Sequence, residues 1–524
     1  MVRGGLREEA IAFIRLRREE WRVSWKHPSL TRLTFTAGIG AFLVGYFTDA
    51  LPPYQRVISM ACIYDQNSFQ SVLHENLVIM AIVGAMIGAA VGAWTSDTLG
   101  RKLSIMIADV LIFLNALLLI SRHSVVGTVG IGFGVGMASM ISPIYVAEAS
   151  PARIRGSLVS TYGFLIALGQ FWCYWRNSSY TQGSRTTWHL MLERVWFPAV
   201  LQFLFLLSLP DSPKMNYIKE VKKEVEGSSS IISEIRSAWG TSAVRRGLVY
   251  GVGLQVIHQL VGYNAIVYYV PNIYASIDNV QYWISYFSIK RNGRRKQILY
   301  SMCGITVCFF GMAAMFAVSS FTSPMVSSFE VFKNTACPIY TAAAPGAEAW
   351  TCMTCLQVSS GCGFCAIKGV KTGACLTANL SGELACLDEG GEWFTRVCLI
   401  KGCGFLVTIT FTSYLMLYAS ALGTVPWVVN SEVCMLRYRG ICAGMAAVAN
   451  WFSYLIMTVL YLSYLSALGP IYMFLLLGLL SFFSLVFIDL FLPETTGLPL
   501  EPYVGGYVRR WLRRLAGFQD PHAN

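Results

Sequence analysis

Charge is what this chain has least of. Of its 524 residues only 13% are Asp, Glu, Lys or Arg, about half the share of a soluble domain. That scarcity excludes a water-facing surface over most of the sequence. No Gly-x4-Gly-Lys-Ser/Thr loop occurs, which excludes ATP drive through that phosphate cradle. The six histidines are scattered, with no cluster at metal-ligand spacing. Nothing resembles a catalytic constellation, so no cofactor, metal or enzymatic activity is expected. The net charge of +12 raises nucleic acid as a partner, and the placement of the charges argues against it.

Apolar residues, by contrast, make up 55% of the chain, and mean hydropathy is +0.53. Residues 76–95 read NLVIMAIVGAMIGAAVGAWT, with no charged side chain. About 20 such residues cross a bilayer as a helix. Ten further blocks lie near 32–50, 103–121, 124–147, 157–176, 195–210, 246–270, 298–320, 403–430, 441–464 and 470–493. The predicted class is an all-α membrane protein. Basic clusters sit in short connectors, such as GRK at 100–102, NGRRK at 292–296 and RYRG at 437–440. Lys and Arg in short loops mark the cytoplasmic side. RLRREEWR at 15–22, with no cleavable signal peptide ahead of it, places the N-terminus there too.

The chain repeats itself. PIYVAEASPARIRG (143–156) aligns with PWVVNSEVCMLRYRG (426–440) on Glu148 and Glu432. Arg153 then meets Arg437, Arg155 meets Arg439, and Gly156 meets Gly440. LPDS (209–212) meets LPET (492–495), and LGRK (99–102) meets NGRR (292–295). Two homologous halves of equal insertion sense are the mark of a carrier built from parallel six-helix repeats. A Glu with Arg five and seven residues later can form ion pairs at helix ends. Such pairs predict a cytoplasmic gate that latches in one state and opens in the other, with pairings Glu148/Arg155 and Glu432/Arg439. Asp97, Arg101 and Arg294 in the matched loops belong to it.

DTLGRK, PIYVAEASPARIRG, PDSPK, QVIHQLVGYNAIVYY, GTVPWVVNSEVCMLRYRG and LPETTG together resemble the signature set of the sugar porter family of the major facilitator superfamily. IADVL, GFGVGMASMISPIYVAEASPARIRG and ANWFSYLI are most similar to plant inositol transporters. The resemblance implies a twelve-helix, proton-driven carrier for a cyclic polyol, with a Cys-rich extracellular loop before the tenth helix. It also implies sugar contacts from Gln170, Gln259, Asn264, Trp427, Asn450 and Trp451. Gln255 shares a helix face with Gln259 at i,i+4, and His258 stands where the family has a second glutamine. The polyol chemistry favours this set, because amides and aromatic rings meet hydroxyls and the apolar ring face.

The sequence also departs from that family. Its first helix has Phe47 where the family carries a proton-titrating Asp, and Thr128 stands in place of the partner Arg. Losing both together avoids an uncompensated buried charge. Asp49 and His258 are the candidate replacements for proton coupling. The run from Arg246 to Lys290 holds 45 residues, so most of helix eight is expected to be absent.

Residues 322–402 are polar and carry Cys337, Cys352, Cys355, Cys362, Cys365, Cys375, Cys386 and Cys398. Too few apolar residues are present for a core of their own, so staples are expected. Cys-x2-Cys-x6-Cys-x2-Cys at 352–365 suits zinc in the cytoplasm and disulfides outside. The spacing resembles the plexin–semaphorin–integrin module. The sequon Asn379-Leu-Ser381 predicts glycosylation on the outer face.

The expected organisation is a cytoplasmic segment (1–30), a first bundle (31–213), linker helices (214–245), the C-terminal bundle in two parts (246–321 and 403–496), the loop domain (322–402) between them, and a cytoplasmic tail (497–524). The expected function is alternating-access import of myo-inositol or a related polyol or hexose. Its expected setting is a lipid bilayer, the plasma membrane. An uncoupled facilitator, a non-transporting sugar sensor and a non-functional family member stay open as alternatives. The short tail after LPET weighs against the sensor.

Overall fold

The computed structural model describes residues 28–62, 68–120, 124–151, 155–178, 194–209, 231–263, 293–321, 323–326, 336–338, 350–358, 361–366, 372–388, 390–394, 401–432 and 438–492. The helices are α1 (Pro28–Cys62), α2 (Ser68–Thr98), α3 (Arg101–Ile120), α4 (Ser124–Ala149), α5 (Arg155–Ser178), α6 (Trp196–Leu207), α7 (Ile231–Gly240), α8 (Ser242–Leu260), α9 (Arg294–Phe321), α10 (Cys352–Val358), α11 (Leu380–Asp388), α12 (Lys401–Ala421), α13 (Val425–Glu432) and α14 (Arg439–Phe491). Among the described residues eight segments are long and apolar enough to cross a membrane. Two of them, Arg439–Leu460 and Ile471–Phe491, lie in α14. Leu158–Cys173 and Trp196–Leu207 are shorter apolar helices. The expected shortened helix eight falls at 264–292, outside the described residues.

The chain divides into two compact units, 1–303 with 415–458 and 481–524, and 304–414 with 459–480. In the first, α2 packs along α4 and α1 along α5. Glycine decides how closely. A Cβ at Gly88 would meet the Phe133 carbonyl, and one at Gly136 would meet the Ala85 carbonyl. Gly84 faces the Val129 carbonyl and Gly132 the Ala81 carbonyl in the same way. Backbone therefore touches backbone along α2 and α4, the small-residue packing that replaces the hydrophobic drive in a membrane. The repeat-matched Gly100 and Gly293 have φ of 105° and 75°. Each occupies a left-handed turn just before a helix that begins with arginine, a conformation side chains resist.

In the second unit, Phe316 stacks on Phe474 at 5.3 Å. Its loop region is not the core-less module that composition suggests. Four strands, β1 (Met325–Val326), β2 (Cys362–Ala366), β3 (Thr372–Thr377) and β4 (Glu392–Phe394), form a sheet in the order β1-β3-β2-β4. β1 runs parallel to β3 and the other pairs are antiparallel. The fold is therefore helical with a small α/β insert. Phe364 and Leu376 are fully buried, with Trp393 packed beside them. Gly363 and Gly373 leave room for the Trp393 and Phe364 rings. Few apolar residues suffice because half-cystines fill the rest of the core. Bonds join Cys337 to Cys362, Cys355 to Cys375 and Cys365 to Cys386. Cys352 is also disulfide-bonded, and Cys398 lies outside the described residues.

Two outcomes follow from this packing. Gly88→Leu should force α2 and α4 apart, and size-exclusion chromatography in detergent should show the loss of most monodisperse protein. Replacing Cys365 and Cys386 together by Ser should destabilise the insert by about 2–5 kcal/mol. Faster limited proteolysis at 362–394 under non-reducing conditions checks this.

Candidate functional site

One pocket in the first unit gathers side chains from both repeats. Val44 and Thr48 come from α1, and Ile166 and Gln170 from α5. His258, Gln259 and Tyr263 come from the end of α8, Tyr418 from α12, Trp427 from α13, and Asn450, Trp451 and Tyr454 from α14. Gly423 completes the wall, and among the described residues no Asp, Glu, Lys or Arg lines it. Gln259 Nε2 donates to Asn450 Oδ1 at 2.9 Å. The Tyr263 hydroxyl donates to Gln170 Oε1 at 3.4 Å. Each bond orients an amide while leaving it further capacity, since an amide can make four.

Aromatic rings form the rest of the wall. Tyr263 stacks on Tyr418 at 4.1 Å and His258 on Tyr418 at 5.6 Å. Trp427 meets His258 edge-on at 6.3 Å and leans on Tyr162 at 5.5 Å. The Nδ1 of His258 lies 2.8 Å from the Leu422 carbonyl. A carbonyl only accepts, so Nδ1 carries the hydrogen, and the Tyr418 hydroxyl lies 3.0 Å from Nδ1 and 3.3 Å from Nε2. A wall of ring faces with a few oriented amides and no ionised group suits a neutral, polyhydroxylated ring.

A second site lies at the helix ends that begin with arginine. Arg101 is 1% exposed and grips Glu148 through two nitrogens, at 3.0 and 3.3 Å, and Asp97 at 2.5 Å. Arg439, from the other repeat, stands 4.0 Å from the same Glu148. A Cβ at Gly440 would overlap the Asp97 carboxylate. The matched cluster has Arg294 on Glu432 at 2.9 Å. Gly156 abuts the Arg294 guanidinium, and Arg155 lies in electrostatic reach of Glu432. The Arg-Gly step of each repeat thus seats in the acid-base cluster of the other.

This corrects the expected pairings. Glu148 pairs with Arg101 and Arg439 rather than Arg155, whose Nε donates to the Ala147 carbonyl at 3.0 Å. Glu432 pairs with Arg294 rather than Arg439. The carboxylate and the later arginine of one repeat sit on different helices, and the break after Ala149 turns Arg155 away. Arg153 and Arg437 lie outside the described residues, as does Asn264.

Gln170, His258, Gln259, Trp427, Asn450 and Trp451 come together in the pocket, although Trp451 donates its Nε1 to Ser139 at 3.2 Å. Gln255 is fully buried one turn away and does not line it. Asp49 is also buried outside it. Phe47 is fully buried with its ring 6.3 Å from Trp451, edge-on. Sequence reasoning missed Thr48, Tyr263, Tyr418 and Tyr454. Tyr263 sits in the quoted QVIHQLVGY block, where an aromatic after Gly262 was a usable signal. Tyr418 and Tyr454 lie in continuous apolar runs that give none. Asn379 Oδ1 accepts from Ser381 Oγ at 2.8 Å in the insert.

The family model described as "Sugar (and other) transporter" matches residues 33–353 and 361–504. The chain is 38% identical over 563 residues to "Probable inositol transporter 2" of Arabidopsis thaliana, covering 96% of this chain and 94% of that one. It is 26% identical over 538 residues to the human "Proton myo-inositol cotransporter", covering 89% and 80%. The solved structure of the major facilitator superfamily proton:xylose symporter XylE bound to a bromodeoxyglucose is similar at a TM-score of 0.64 and 20% identity, over 91% of this chain and 98% of that one. Helix spans, duplicated charge clusters and these matches agree, and the chain belongs to the sugar (and other) transporter family, with the major facilitator fold.

Proposed function

We propose that the chain imports myo-inositol or a closely related polyol by alternating access, together with protons. The observation that carries this is the pocket: uncharged, walled by Tyr263, Tyr418 and Trp427, and supplied with the amides of Gln170, Gln259 and Asn450. A cyclohexane polyol offers hydroxyls to the amides and C–H faces to the rings. The names of the plant and human relatives favour inositol over a pentose or hexose. The charge clusters act as the gate: closed while Glu148 holds Arg101 and Arg439, open when the Arg-Gly steps withdraw. The plasma membrane is the setting, with the disulfide-linked insert outside and Asn379 glycosylated.

A facilitated, uncoupled carrier is the second reading, favoured by Phe47, which fills the family's proton position with a buried ring. Asp49 and His258 are titratable groups of α1 and of the pocket available for coupling.

Radiolabelled myo-inositol and glucose uptake in cells lacking their own carriers tests the reading. Saturable inositol uptake with an inward current at acid pH is expected. Absence of uptake of both solutes overturns it, and uptake without current selects the facilitator. Gln259→Ala leaves Asn450 unpaired, at about 1–3 kcal/mol, so KM should rise about tenfold or more while surface expression is kept. Glu148→Gln leaves Asp97 to face Arg101 with one carboxylate fewer in the cluster, a positive charge in excess, at about 3–5 kcal/mol. Uptake should fall at least tenfold while equilibrium binding of inositol changes little, as measured by tryptophan fluorescence in detergent.

A further inference from the structure

One ionisable group inside the first bundle belongs to neither site. Asp109 lies in the middle of α3 and is 1% exposed. Both of its carboxyl oxygens are sealed from solvent with no hydrogen-bond partner. It stands eight residues past Arg101, about 12 Å along the helix, near the centre of a hydrocarbon layer about 30 Å thick.

Its depth is shared. The Lys102 ammonium donates to the Leu209 carbonyl at 2.6 Å, which fixes the start of α3 beside the end of α6. Gln202 lies seven residues back along α6, about 10 Å, and so at the level of Asp109. Gln202 is fully buried and both atoms of its amide lack partners. Ser142 on α4 is likewise buried and unpartnered. A Cβ at Gly40 would stand 2.5 Å from Ser142 Oγ and 3.1 Å from Gln202 Nε2, so these two groups are neighbours under α1. Six residues separate Ser142 from Glu148, the partner of Arg101, which puts it at a similar depth.

The elements packed against α3 are α2, α4 and α6. Their titratable groups toward it are Asp97 on α2, and Glu148 and Tyr145 on α4; α6 has none, and α3 adds Arg101 and Lys102. The charged ones gather at the Arg101 end, where Arg101 is engaged by Asp97 and Glu148 and Lys102 by the Leu207 and Leu209 carbonyls. Among the described residues none is left to balance an anion at Asp109. An ionised carboxylate there is an uncompensated charge in the membrane, whereas the neutral acid is not. Serine and amide groups can donate to one form and accept from the other.

We propose that Asp109 is the carboxyl that carries the coupled proton, with Gln202 and Ser142 stabilising its ionised form when the bundle rearranges. The proposal rests on the coupled-carrier reading above. Hydronium in the outer water loses one O–H bond as an O–H bond forms at the Asp109 carboxylate; that bond breaks as a cytoplasmic water takes the proton and becomes hydronium, so the carboxylate is regenerated and no oxidation state changes.

The full chain in proteoliposomes separates the two. Wild type should show inositol counterflow and accumulation driven by an inward proton gradient. Asp109→Asn should keep counterflow within about twofold and lose gradient-driven accumulation. Accumulation retained by Asp109→Asn overturns the assignment. Absence of counterflow in wild type removes the carrier reading instead. A readout free of transport is dicyclohexylcarbodiimide, which modifies protonated carboxyls in apolar surroundings. Peptide mass spectrometry should find wild-type Asp109 labelled at neutral pH, with labelling falling as pH rises; an unlabelled Asp109 across that range overturns the proposal even where the variant fails to fold.

Discussion

Glu148 is a carboxylate with no exposed side chain, shared by Arg101 of its own repeat and Arg439 of the other. A buried ion pair gains little over apolar packing but is costly to break singly. That asymmetry makes such a cluster suitable as a switch. With Asp97 the cluster holds two carboxylates and two guanidiniums, so its closed form is neutral. The matched cluster at Arg294 and Glu432 repeats the device with the roles of the halves exchanged.

The pocket follows the opposite rule. Among the described residues charge is kept out, and polarity comes from amides and phenols held by one another, within the second repeat for Gln259 and Asn450 and across the repeats for Tyr263 and Gln170. Gln259 on Asn450 and Tyr263 on Gln170 each join helices from different parts of the chain. A ligand that replaces these bonds can therefore change how the helices meet, which is what alternating access needs. His258 adds a ring that both stacks and hydrogen-bonds.

Close backbone packing in α2 and α4 makes that motion rigid-bodied. Helices that touch through Gly84, Gly88, Gly132 and Gly136 leave little room for independent sliding. The insert is stiff for a different reason. Its disulfides and the buried Phe364 ring, with Trp393 packed beside the sheet, make up a core that its composition alone does not suggest.

The membrane class, the duplication and the family were legible from residues alone, because bilayer thickness dictates apolar run length and repeated motifs need no three-dimensional information. Gln259, Asn450 and Trp427 were named through the family resemblance, and the structure brings them to one pocket. Which arginine meets Glu148 was not legible. Spacing along one chain suggested Arg155, whereas pairing is set by which helix ends converge: Arg101 from the same repeat and Arg439 from the other. Gln255 and Gln259 looked equivalent at i,i+4, yet one turn of helix separates the pocket from the packed interior. Tyr418 and Asp109 show the same limit from the other direction. A tyrosine in an apolar run and an aspartate in a membrane helix read alike in sequence as isolated polar groups. Only the neighbours that tertiary packing supplies decide that one lines a pocket and the other is sealed without a counter-charge.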